Sequence, residues 1–120
     1  MKSSRGEIKI CDILDEAGLA YKEEYAVKNL VATSGRVLRF DFCVFDDYGD
    51  IDFFIEYQGE QHYEPVSKYG GKTALKRQKY NDAQKRKYCS DHHIPLVIVP
   101  YWDYNKLNYD YIINAAYGNS

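Results

Sequence analysis

The sequence predicts an α/β fold in the order αβββαβα, a mixed sheet flanked by helices. Three observations carry this. Residues 37–45 alternate with a period of two, and an acidic turn joins them to a second strand-like run at 51–57, the pattern of a hairpin. A later run, Ile94-Pro95-Leu96-Val97-Ile98-Val99, is short and apolar like a buried strand. A long polar helix separates the two, which suggests a mixed sheet with helices on its faces.

The elements follow in order. Residues 6–19 place Ile10, Ile13, Leu14 and Ala17 on one face, the helical period. Ser3 or Ser4 suits the N-cap, Glu7 the first turn, and Gly18 the stop. Residues 21–27 read as a strand, and residues 32–36, with Thr33-Ser34-Gly35, as a turn. In residues 37–45, Leu38, Phe40, Phe42 and Val44 are expected on one face and Arg39, Asp41 and Cys43 on the other. A turn at 46–50 leads to a strand at 51–57, paired antiparallel with the previous one. Residues 60–72 are expected as a loop holding Pro65, Gly70 and Gly71. Residues 73–91 form a polar helix whose sparse apolar points are Leu75, Tyr80, Ala83 and Tyr88. The apolar strand at 94–99 is broken at Pro100, and residues 108–116 close the chain as a helix.

Composition narrows the function. With 120 residues the chain is sized for one domain and one core, spanning 1–120. A hydrophobic content of 45% with 28% charged residues excludes a disordered, collagen-like or coiled-coil chain. No apolar run approaches the roughly 20 residues of a membrane helix, and the charged start does not read as a signal peptide. Cys11, Cys43 and Cys89 have neither disulfide-framework nor zinc spacing, which fits a reducing cytoplasm. The net charge of -2 speaks against a polyanion partner until it is divided. Residues 1–64 hold 7 basic and 14 acidic side chains, whereas residues 65–90 hold 8 and 1. An acidic body with a basic helix presents a polyanion with a local positive field. The 13 tyrosines suit strands and interfaces first, and base stacking second.

Asp41 and Glu56 come near each other across the hairpin. Two carboxylates there repel unless a cation lies between them, and hard oxygen ligands suit Mg²⁺. A strand acid is often merely solvated, but Glu56 lies within Phe53-Phe54-Ile55-Glu56-Tyr57, where an unpaired charge is costly. Gln58 shares the face of Glu56, two residues on, and His62 follows close enough to swing back over it. His92-His93 at a helix end reads as a cap or turn rather than a metal site.

The segments Arg39-Phe40-Asp41-Phe42, Ile55-Glu56-Tyr57-Gln58-Gly59-Glu60-Gln61-His62-Tyr63, Asp82 with Lys85 and Tyr88-Cys89, and the run from Ile94 to Tyr101 stand in a telling order. Together they resemble the small phage-type endonucleases, relatives of the very-short-patch repair nuclease and the EDxHD homing endonucleases in the PD-(D/E)XK superfamily. Gly6-Glu7 with Ile10 fits the first helix of that family, and the resemblance covers roughly residues 6–104. It implies a restriction-endonuclease-like core and a Mg²⁺- or Mn²⁺-dependent DNA endonuclease in the cytoplasm, that of a bacterial host if phage-encoded. Asp41 matches the central metal-binding aspartate, Glu56 the acid of the (D/E)XK element, and Glu7 the glutamate of the first helix. His62 and Asp82 match further site positions. Gln58 stands where the lysine usually does, a place His62 or Lys85 can fill.

For the mechanism, Asp41, Glu56 and Glu7 are expected to hold the metal, His62 to relay a proton and Lys85 to offset developing charge. Lys68, Lys72, Lys76, Arg77, Lys79, Arg86 and Lys87 are expected to meet DNA phosphates, against the simpler outcome of a solvated helix face. A chain this short has little room for a specificity domain, which suggests a homodimer or a targeting partner. Two alternatives stay open: a catalytically silent nuclease fold that binds DNA or protein, favoured by Gln58, and a structure-specific nuclease acting on branched DNA or RNA.

Overall fold

A computed structural model describes residues 4–64, 67 and 70–118. Its elements are α1 (Arg5–Ala17), β1 (Ala20–Val31), β2 (Val37–Phe45), β3 (Ile51–Gln58), a 3₁₀ turn at Glu60–His62, α2 (Gly71–Asp91), β4 (Leu96–Pro100), a 3₁₀ segment at Tyr101–Lys106 and α3 (Tyr109–Tyr117). This is the expected αβββαβα order. One sheet runs β1-β2-β3-β4, with β1/β2 and β2/β3 antiparallel and β3/β4 parallel. Among the described residues, no helix is long and apolar enough to cross a membrane.

Local chemistry sets the helix ends. Ser4 caps α1: its hydroxyl accepts from the Glu7 N–H at 3.2 Å, and the Glu7 carboxylate accepts from the Ser4 N–H at 2.9 Å. Gly18 ends the helix with φ 71°, a left-handed conformation that glycine adopts freely. Asn108 caps α3. His92 follows α2 as its cap, with Nδ1 2.9 Å from the Tyr88 carbonyl.

The sheet buries both faces. Ile10 and Leu14 of α1 and Ile112 and Ala116 of α3 pack on one side against Phe42, Val44, Phe53, Ile55, Val97 and Val99. On the other side Cys89 of α2 packs with Leu38, Phe40, Cys43, Phe54 and Val27. These memberships correct the expected faces of β2. Phe40 and Phe42 lie on opposite sides of the sheet, and Cys43 shares a side with Phe40. The alternation breaks at Asp41. β1 switches at the same level, since Tyr21 packs on the α1 side and Tyr25 and Val27 on the α2 side. The β1–β2 hairpin therefore turns over as a unit, and its outer half lies against α2.

Several boundaries also move. β1 extends to Val31, because its pairing continues to Val31 opposite Val37. α2 starts at Gly71, and of its expected apolar points Tyr80 and Ala83 face solvent. Its inner face is polar instead, with Gln78, Asn81, Asp82 and Lys85 all partly buried.

Gly6 is the tightest contact between α1 and the sheet. A Cβ there would fall within the Tyr57 ring. Gly6→Ala is expected to destabilise the fold by about 1–3 kcal/mol through overpacking, measured by urea unfolding. A loss below about 0.5 kcal/mol would contradict this close approach.

Candidate active site

The β2–β3 ladder stops at the pair Phe42–Ile55. Beyond it β2 continues with β1, and β3 continues with β4. Side chains bridge the split. The Asp41 N–H donates to Glu56 Oε2 at 2.8 Å, and the Tyr57 N–H donates to Asp41 Oδ2 at 2.7 Å. Each acid thus satisfies a backbone donor that the ladder has released.

A pocket of about 440 Å³ opens over this split. Glu7, Asp41, Glu56, His62, Asp82 and Lys85 all line it, six of the seven residues expected to carry chemistry. Gln58 does not. It is buried on the same side of β3, and its amide oxygen accepts the Tyr63 hydroxyl at 2.6 Å. Gln58 is therefore a structural anchor for the loop after β3.

Around the split the acids form two clusters. Glu56, 4% exposed, receives Lys85 Nζ on Oε1 at 2.9 Å. The ammonium also lies 5.5 Å from the Phe40 ring centroid, over the apolar part of the site. Burial pushes the Glu56 carboxyl above its ordinary range, and Lys85 works against that shift. The second group is Glu7, Glu24 and Asp41, whose carboxylate oxygens all lie within 4.8 Å of one another. Burial first, and then the charges of Glu56 and Glu7, push Asp41 up to about 8. A carboxylate set under that repulsion favours a divalent cation, which removes it.

Glu24 was not legible in the sequence. It lies on β1 between Glu23, opposite Phe42, and Tyr25, opposite Phe40, and so stands across from Asp41. Its φ is 52°, a strained value for a non-glycine residue. The hairpin register hides it. Between the pairs Ala26–Arg39 and Val31–Val37 the β1 strand runs longer than β2, with Asn29 also at positive φ. Equal counting from the turn puts Val27, not Glu24, opposite Asp41.

His62 is set by the 3₁₀ turn. Nε2 is 3.9 Å from Asp82 Oδ1, and Nδ1 is buried with no hydrogen-bond partner among the described residues. Burial lowers the imidazole pKa, with Asp82 opposing, so the ring is neutral at pH 7.

The expected phosphate contacts scatter. Lys72, Lys76, Lys79 and Arg86 are exposed along α2, and Lys87 pairs with Asp91 at 2.8 Å. Arg77 lines a groove beside the pocket. Lys68 lies outside the described residues.

Two viral proteins are similar to this chain. An uncharacterized protein, 307L, of Invertebrate iridescent virus 6 is 31% identical over 89% of the chain, which spans 64% of that protein. An uncharacterized protein, 094L, of Frog virus 3 (isolate Goorha) is 49% identical over 39% of the chain, which spans 32% of it. The chain thus spans less than two thirds of either relative. No family model matches the sequence. No solved structure matches the fold.

Two outcomes test the geometry. Lys85→Met leaves Glu56 buried without its counter-charge and is expected to cost about 3–5 kcal/mol. Adding Glu56→Gln should recover most of it, so a double variant no more stable than the single one would break the pairing argument. The second concerns pH. Folded Asp41 keeps its proton between the usual carboxylate range and about 8, while the unfolded chain releases it. The folded state binds more protons there, so stability without metal falls as pH rises through that window. Mg²⁺ or Mn²⁺ should then raise the melting temperature more at pH 8.5 than at pH 5.5. Equal gains at both would count against a carboxylate metal site.

Proposed function

We propose that the chain is a divalent-metal-dependent DNA endonuclease that hydrolyses phosphodiester bonds. The observation that supports this best is the single pocket over the split sheet. It joins Glu7 and Asp41, which cluster with Glu24 at its edge, to the Lys85–Glu56 pair and a neutral histidine.

The donor set fits a hard cation. Three carboxylates from α1, β1 and β2 bring oxygens within 4.8 Å of one another, the donor type that a hard divalent ion takes. Glu7, Glu24 and Asp41 would hold the ion, with Glu56 beside it. The bound ion would supply positive charge to the phosphate oxygens and acidity to a water. The rest is the work of the chain itself. Glu56 is held by the Asp41 N–H and by Lys85, so its position is preset before substrate arrives. The Lys85 ammonium brings positive charge where lysine of the usual motif position is missing, and offsets charge that develops at phosphorus. His62, neutral and lining the pocket, accepts the proton that an attacking water must lose. Asp82 sits beside it and steadies the imidazolium that results.

The test is cleavage of supercoiled plasmid, branched DNA and RNA with Mg²⁺ or Mn²⁺. The expectation is cleavage of DNA that falls by about 100-fold or more in Asp41→Asn and Glu56→Gln. His62→Ala is expected to fall by about 100-fold or more as well. Cleavage that survives all three would sink the site, and binding without cleavage under either metal would favour a silent binding factor.

A further inference from the structure

A groove of about 830 Å³ lies between the outer half of the β1–β2 hairpin and the first half of α2. Arg36 and Arg39 enter it from β2 and its turn, and Arg77 enters from α2. All three are exposed, and no carboxylate lines the groove among the described residues. None of the three guanidinium groups has an ion-pair partner among those residues. Three like charges facing one depression repel one another, and a polyanion would relieve that repulsion. Guanidinium groups suit phosphate because each offers paired donors in a fixed fork.

The groove does not stand alone. Leu38, Gln78 and Asn81 line both it and the carboxylate pocket, so the two depressions are continuous. At this junction the Gln78 side-chain oxygen is buried with no hydrogen-bond partner among the described residues. A buried acceptor left open costs free energy that a donor on an occupant would recover. The occupant must therefore carry repeated negative charge, offer donors and extend from a basic groove into an acidic pocket. A free anion meets only the first demand, and the carboxylates next door repel it. A nucleic-acid strand meets all three, with phosphates for the arginines and base N–H donors for Gln78.

We propose that this groove holds the sugar–phosphate backbone of the nucleic-acid strand that leads into the carboxylate pocket, with Arg36, Arg39 and Arg77 on successive phosphates. The inference deepens the nuclease reading and rests on it for the fate of the strand, but not for its binding. It also moves the main phosphate contacts from the outer lysines of α2 to two hairpin arginines that the sequence does not single out.

The test is binding without turnover. Fluorescence anisotropy with labelled 20-nucleotide duplex and single-stranded DNA is run in EDTA on an Asp41→Asn background, from low to physiological salt. Arg36→Ala/Arg39→Ala and Arg77→Ala are each expected to weaken binding about 10-fold or more for at least one DNA. They should also flatten the salt dependence by about 0.7–0.9 log unit per arginine removed. Lysine replacements keep the charge, so they should restore most of the slope while recovering less of the affinity. Lys22→Ala, exposed on β1 beyond the site, should change neither. Affinity and slope unchanged in all the arginine variants would overturn the proposal. So would loss of DNA binding to a few millimolar inorganic phosphate at constant ionic strength, which would mark a small-anion site. Thermal melts of each variant separate these outcomes from unfolding. A chain that binds through the arginines yet never cleaves would refute only the nuclease reading.

Discussion

Where β2 and β3 part, the Glu56 carboxylate accepts the Asp41 N–H and the Asp41 carboxylate accepts the Tyr57 N–H, and the rest of the site is built on these two bonds. A sheet that splits leaves N–H groups without ladder partners, and buried donors need acceptors. Here the acceptors are the two acids whose carboxylates also face the pocket. Structural satisfaction and chemical potential are thereby held in the same atoms. Lys85 completes the arrangement, since a glutamate only 4% exposed cannot stay ionised without a counter-charge.

The split has a second consequence. With β2 freed from β3, the β1–β2 hairpin turns over and carries its outer half to the α2 side. The turnover brings Glu24 across from Asp41, and its strained backbone sits at the pivot. It also opens the arginine groove between hairpin and helix. Strain of this kind persists only where the surroundings over-determine it. The strands on either side stay in register with β2, and α1 is clamped from below by the contact of Gly6 on Tyr57.

Much of the fold was legible because its signals are local. The period-two run at 37–45, the Ser4 cap with Glu7 three residues on, Gly18 after the last apolar position and the polar helix before an apolar strand each act within a few residues. The same holds for part of the site: Glu56 stands out because an acid amid Phe53, Phe54 and Ile55 demands a partner. The faces of β2 were misread because alternation assumes a continuous ladder, and the ladder ends at Phe42. Of the apolar points of α2, Tyr80 and Ala83 were misread because burial of the helix middle is polar, on a pocket rather than a core, whereas Tyr88 packs on the core. Glu24 was hidden by the irregular stretch of β1 before the hairpin turn.

By itself the sequence determined the elements, their order, the segregation of acid from base, and the candidates Glu7, Asp41, Glu56, His62, Asp82 and Lys85. The elements follow from periodicity and capping, Asp41 and Glu56 from the cost of an isolated charge and His62 from its place just after the strand, all of which depend on near neighbours, whereas Glu7, Asp82 and Lys85 come from the family resemblance. Only the tertiary structure decided which acids share a cluster, which one takes Lys85, that Gln58 anchors a loop, and that Arg36 and Arg39 face Arg77. Those outcomes depend on strand register and on the turn of one hairpin over a split sheet. Both are fixed by packing between residues far apart in the chain, so no local pattern encodes them.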